Sequence, residues 1–271
     1  MPHSMVVDTV KVAQTGFEWL PFIIDIASTA IGALLGFVFA LVLFLVQQRH
    51  TEKKSEANHR QQHILALKRT VDTCGINVET LVNAKEQLIV PVANDAIEMR
   101  KALKTDDPQN ILDAAPHLEH FFQGMAPFPS VPFPEDAEFF FALDDMPMFM
   151  LFVRRATASF ELLAELISDR NRLVAEYARA NGGPRGMTRR ELEYFITMLA
   201  SHAENIHETA NDAIAFLMLV HDQAHNYGKW RLGDGKFRKF MLTSKHEFMP
   251  PDDYLPNYRK KFVDFSPGAQ Q

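Results

Sequence analysis

The chain carries one long apolar run near its start. From Ile26 to Val46 there are 21 consecutive residues without a charged side chain. As a helix, this run spans about 30 Å, which is the thickness of a bilayer's hydrocarbon core. A signal peptide would have a basic flank before the run and a small-residue cleavage site after it. The upstream flank here is mostly acidic and the downstream flank reads QQRHTEKK. The pattern therefore predicts a retained transmembrane helix over residues 22–46.

The charges on either side of this run predict its orientation. Residues 1–21 contain one Lys or Arg, whereas residues 47–62 contain Arg49, Lys53, Lys54 and Arg60. Basic flanks stay on the cytoplasmic side of a membrane. We expect a single-pass protein whose short tail, residues 1–21, lies outside and whose remaining chain is cytoplasmic.

Small residues recur every four positions within the apolar run, at Ser28, Gly32, Gly36 and Ala40. On a helix they form a smooth groove that lets a second helix approach closely, and Gly32 with Gly36 matches the GxxxG pattern. The alternative is that glycine is simply common in membrane helices. We expect this face to pair with a second copy of the chain, in addition to the lipid bilayer as a partner.

A second apolar pattern follows the basic flank. Residues 47–105 are predicted to form a long juxtamembrane helix, which Pro91 should kink or restart. Its apolar positions have heptad spacing, with Lys85 as the one break. These seam positions are Ile64, Leu67, Val71, Cys74, Val78, Leu81, Leu88 and Val92. The seam can be filled by a coiled coil between chains or by an intramolecular bundle.

Residues 106–144 are rich in proline and phenylalanine. Proline density excludes long helices, and phenylalanine density is atypical of disorder. The segment is expected to be irregular and to pack on the bundle. The sharper alternative is a ligand pocket or lid built from Phe128, Phe133 and the run Phe139–Phe141.

Residues 145–228 predict a helical hairpin. One helix starts near Asp145 and ends at the turn signal NGGPRG, and Thr188 with Glu191 forms a capping box for the next helix. Two long helices joined by a short turn should pack antiparallel. In the tail, residues 229–271, a small β-hairpin is expected around Gly233-Asp234-Gly235. The predicted fold class is otherwise all-α: a membrane helix followed by a cytoplasmic helical bundle.

Metal chemistry has one weak candidate. Glu204, His207 and Glu208 include the Glu-x-x-His spacing that di-iron bundles use twice, with further carboxylates from other helices. His221 and His225 form a separate i, i+4 pair. The facing helix carries mainly arginines, which repel a cation. We therefore predict no metal and no cofactor, and a solvated His- and Glu-rich face instead.

Signals for catalysis are lacking in the sequence. The single cysteine, Cys74, lies in the apolar seam, where a thiol acts as a small hydrophobe. There is no GxSxG, P-loop or dinucleotide-binding motif. The net charge of −6 gives no general attraction to nucleic acid. A non-enzymatic function is expected.

The tail from Tyr227 to Phe248 combines bases with aromatic residues. The bases proposed as an anionic-partner patch are Lys229, Arg231, Lys236, Arg238 and Lys239. Lipid headgroups or a nucleotide are candidate partners. The alternative is an ordinary solvated surface, and no specific nucleic-acid target is predicted.

Together these patterns predict a single-pass membrane protein with a cytoplasmic helical interaction or sensing domain that oligomerises through its membrane helix. One alternative is a membrane-disrupting effector triggered by a ligand on the cytoplasmic domain. A second is a membrane-tethered metalloenzyme centred on the His- and Glu-rich helix.

Overall fold

The structure, a computed structural model, describes residues 19–104, 119–134, 146, 148–179, 188–233, 246–251 and 253–266, and of residues 19–27, 29, 119 and 246 the backbone alone. Every regular element in these ranges is helical, which confirms the all-α fold class. The chain divides into two compact units, residues 1–59 and residues 60–271.

The helices alternate with short turns of other helical types. The α-helices are α1 (Trp19–Ala84), α2 (Val90–Leu103), α3 (Phe149–Arg179), α4 (Arg189–Asn226) and the single turn α5 (Pro256–Arg259). Two π-helical turns, Lys85–Ile89 and Tyr227–Arg231, follow α1 and α4, and two 3₁₀ turns occur at Glu119–Phe122 and His246–Phe248.

The first unit contains the apolar part of α1. This segment is long and apolar enough to cross a membrane, judged by length and composition. Its described side chains are exposed, with Leu34 66% and Phe37 67% accessible. Such exposure of a continuous apolar surface is unfavourable in water.

The second unit packs its long helices antiparallel. Tyr177 near the end of α3 contacts Phe195 near the start of α4, while Phe152 and Phe216 both contact Tyr258. Lys85 after α1 bonds Asn211 of α4, and Arg60 bonds the carbonyl of Leu232. Both α1 and α3 therefore run antiparallel to α4. The three helices enclose the hydrophobic core between them.

The heptad seam is filled within one chain. Six of its positions are buried in the bundle: Leu67, Val71, Cys74, Val78, Leu81 and Val92. Five of these belong to the same core as residues of α3 and α4. The structure thus buries these five positions within a single chain.

The seam changes its geometry where Lys85 interrupts it. Residues Lys85–Ile89 form a π-helical turn in which the Val90 N–H bonds the Lys85 carbonyl, five residues earlier. Pro91 lies in the first turn of α2. Since proline has no N–H for a normal helical bond, a change of helical winding just before it is expected.

The prediction of a β-hairpin in the tail is wrong for its first half. Lys229, Trp230 and Arg231 continue from α4 as a π-helical turn, so they do not form a strand. Gly233 follows with a φ of 64°, in the region that favours glycine. Asp234 and Gly235 lie outside the described residues.

Candidate functional site

The four small residues of the apolar run lie on one face of α1. At Gly32 and Gly36, no atom apart from the neighbouring residues and backbone of the same helix lies within 4 Å of where a Cβ would stand. Ser28 and Ala40 are exposed on the same four-residue row. The small-residue groove is therefore open to a neighbour, and a larger side chain placed there would meet no obstacle inside its own protomer.

Cationic side chains act on two of the candidate metal ligands, Glu204 and His207. Glu204 forms an ion pair with Arg100 of α2, whose second guanidinium nitrogen lies 3.3 Å from the Ser201 hydroxyl. Burial lowers the pKa of His207, and the Lys85 ammonium lowers it further, while Glu208 opposes the shift. Cations next to these groups disfavour a metal ion.

The second histidine pair also has a protein partner. His221 is buried, its Nδ1 lies 3.0 Å from the Asp222 carboxylate, and its ring stacks on His225 at 6.4 Å. Among the residues that the structure describes, no three His, Cys, Asp or Glu side chains come together as a metal-binding group.

The basic patch is seen only in part. Lys229 and Arg231 lie exposed on the π-helical turn, and the Lys229 ammonium stands 4.4 Å from the centre of the Trp230 ring. Lys236, Arg238 and Lys239 lie outside the described residues. Arg60 on α1 adds a third base near this turn through its bond to Leu232.

Irregular segments are held on the helices by polar side chains that the sequence analysis did not single out. Asn77 donates to the Val131 carbonyl at 2.8 Å and accepts from its N–H at 2.7 Å. Asn171 makes the same pair of bonds with Met125, and Gln223 does so with Val263. We call these three pairs the amide clamps. In each clamp, the side-chain amide bonds both the N–H and the carbonyl of one residue, as a neighbouring β-strand would.

A buried arginine completes the attachment of residues 119–134. Arg170 is fully buried and donates to the carbonyls of His120, Phe121 and Gln123 at 2.6–3.2 Å. Burial lowers its pKa to about 10, so it remains charged at neutral pH. In the sequence, only the position of Arg170 among the apolar residues of α3 indicates that it is buried.

A cavity lies where this segment meets α1 and α3. Its volume is about 500 Å³, within the range of small-molecule sites. Phe128, Phe133 and Phe160 form apolar walls, and Asn77 and Glu161 also line it. Phe128 and Phe133, two of the residues that were expected to build a ligand pocket if the Pro/Phe-rich segment forms one, therefore line a cavity. Phe139–Phe141 lie outside the described residues.

Comparison of the chain with protein-family models, curated proteins and solved structures finds no match.

Proposed function

We propose that this protein is a single-pass membrane protein that oligomerises through its membrane helix and carries a cytoplasmic helical sensing or interaction unit. The observation that supports this most is the exposed apolar surface of α1 between Ile31 and Val46. In water, such a surface would drive aggregation, whereas lipid solvates it. The basic residues that follow favour a cytoplasmic location for residues 47–271.

The small-residue groove supports pairing of two copies. Its glycines leave open space at the positions where helix backbones approach in membrane dimers. Because α1 includes residues of both units, pairing in the membrane would be passed along that helix to the cytoplasmic unit. A cavity in that unit gives the sensing role a place for a ligand.

The test is crosslinking of the full chain in membranes. Gly32→Ile and Gly36→Ile should abolish or strongly reduce the crosslinked oligomer, because branched side chains keep the backbones apart. Ala30→Ile is the matched control, since residue 30 lies on the opposite face of the helix and the change adds comparable bulk. An unchanged oligomer in both glycine variants would exclude this mechanism.

Anchoring is tested separately by alkaline carbonate. We expect the full-length chain to stay with the membrane pellet, as an integral protein does. Release into the supernatant, or recovery of a shortened soluble product, would contradict the proposal.

A further inference from the structure

We propose that the cavity between residues 128–133, α1 and α3, the aromatic cavity, binds a small organic cation with an apolar body, such as an arylalkylammonium ion. This gives the sensing role proposed above a ligand class. It depends on that proposal only for its biological meaning, because binding can be measured whether or not the chain oligomerises.

The first support is that the walls are built before a ligand arrives. The Asn77 amide clamp fixes the backbone of Val131 from both its N–H and its carbonyl. Pro129, Pro132 and Pro134 restrict the backbone on either side. A wall that is already ordered loses little conformational entropy on binding.

The second support is the chemistry of the lining. Phe128, Phe133 and Phe160 present aromatic surface, which attracts the hydrocarbon part of a ligand and, over a ring face, a cation. Among the described residues that line the cavity, Glu161 carries the only charge. A carboxylate beside aromatic rings favours an ammonium group over a neutral or anionic one.

The third support is that two of the other polar side chains in the lining, Asn77 and Thr157, are already engaged. The Asn77 amide bonds Val131, and the Thr157 hydroxyl donates to the Val153 carbonyl at 3.1 Å. Neither bond involves Glu161, which is exposed and lines the cavity. The charge at this position therefore sets the preference between ligands of the same shape.

The experiment compares three probes that differ only in the head group: 4-phenylbutylamine, 4-phenylbutanol and 4-phenylbutyrate. Each is titrated calorimetrically into the full-length chain in a non-ionic detergent, with a titration into detergent alone subtracted to remove partitioning into micelles. The amine should bind tightest and the carboxylate weakest.

Variants then test which side chains determine the preference for the amine. Glu161→Gln should lower the affinity for the amine by about twofold to fivefold and leave that for the alcohol unchanged. Glu165→Gln is the matched control, because Glu165 is exposed one helical turn away and does not line the cavity. Phe133→Leu keeps an apolar side chain but removes a ring, so it should weaken the amine more than the alcohol.

Three results would overturn the inference: no heat from any probe, equal affinity for amine and alcohol, or an amine affinity that Glu161→Gln leaves unchanged. Circular dichroism of each variant verifies that the fold is retained. If these results occur while the crosslinked oligomer is intact, the ligand assignment fails and the proposed membrane function stands. If binding is seen and the oligomer is absent, the ligand assignment stands and the proposed membrane function fails.

Discussion

Lys85 shows how one residue can combine structural roles that its position in the sequence does not suggest. It interrupts the heptad seam, yet it is only 4% exposed. Its ammonium donates to the Asn211 side chain at 2.6 Å and to the Phe248 carbonyl at 2.5 Å. The residue therefore joins α1, α4 and the C-terminal segment. Burial lowers its pKa from 10.5 to about 8.

This shift predicts how stability depends on pH. Between about pH 8 and pH 10.5 the unfolded chain holds the Lys85 proton and the folded chain does not, so deprotonation favours folding and stability rises with pH. A neutral amine still carries two N–H donors for its two acceptors. The free energy of unfolding of the wild type, minus that of Lys85→Met, should increase from pH 8 to pH 10 by less than about 1.4 kcal/mol per unit.

Taking the difference between the two proteins is essential here. Burial raises the pKa of the Cys74 thiol far above its usual value, so this residue makes stability fall above about pH 9 in both proteins. Its contribution cancels in the subtraction. Urea unfolding followed by circular dichroism at several pH values measures both curves. A difference that is flat or declines over this range would contradict the role assigned to Lys85.

The sequence predicted the buried environment of Cys74 but not that of Lys85. Cys74 was expected to be a small hydrophobe in the seam, and it is fully buried there. Lys85 could be recognised only as a break, because one of its acceptors, the carbonyl of Phe248, lies 163 positions further along the chain. A seam pattern contains no information about a partner that arrives from an irregular distant segment.

Among the elements, helices with local signals were predictable and the irregular segments were not. Thr188 accepts from the Glu191 N–H and Glu191 accepts from the Thr188 N–H, which is the capping box expected from the sequence. The α3 helix begins at Phe149, a few residues after the expected start near Asp145, which lies outside the described residues. The amide clamps depend on tertiary contacts between side chains and distant backbone, for which no local pattern exists.

Arg170 provides the most direct test of how the segment 119–134 is attached. Arg170→Met should destabilise the fold by about 3 kcal/mol or more, because three backbone carbonyls lose their charged donor in a buried site. Arg170→Lys should recover only part of this loss, since a lysine cannot match the planar fork of donors. Thermal unfolding of the full chain in detergent measures both effects.

Arg172 supplies the control for that experiment. It lies two residues further along α3, is 70% exposed, and pairs with Asp169 at 3.2 Å. Exposed ion pairs contribute about 0–1 kcal/mol, so Arg172→Met should change the stability little. Similar losses for the two methionine variants would indicate that the buried carbonyl contacts do not hold the segment.

For the whole molecule, the filled seam changes where an oligomer interface is expected. A coiled coil through Leu67, Val71 and Cys74 would need these side chains on the surface, but the same chain buries them against α3 and α4. We therefore expect pairing through the small-residue groove of α1 and not through the seam. The sequence could not decide between the two arrangements, because heptad spacing is the same whether the covering helix belongs to the same chain or another.

This assignment makes a prediction about size. A fragment of residues 50–271, which retains the bundle and lacks the apolar run, should be folded, helical and monomeric, because its seam needs no second chain. The full-length chain in mild detergent should form an oligomer that Gly32→Ile and Gly36→Ile dissociate. Light scattering coupled to size-exclusion chromatography measures both masses, and Ala30→Ile again serves as the control. If the fragment were a stable dimer, contacts within residues 60–271 would hold the chains together, and the glycine variants should then fail to separate the full-length protein.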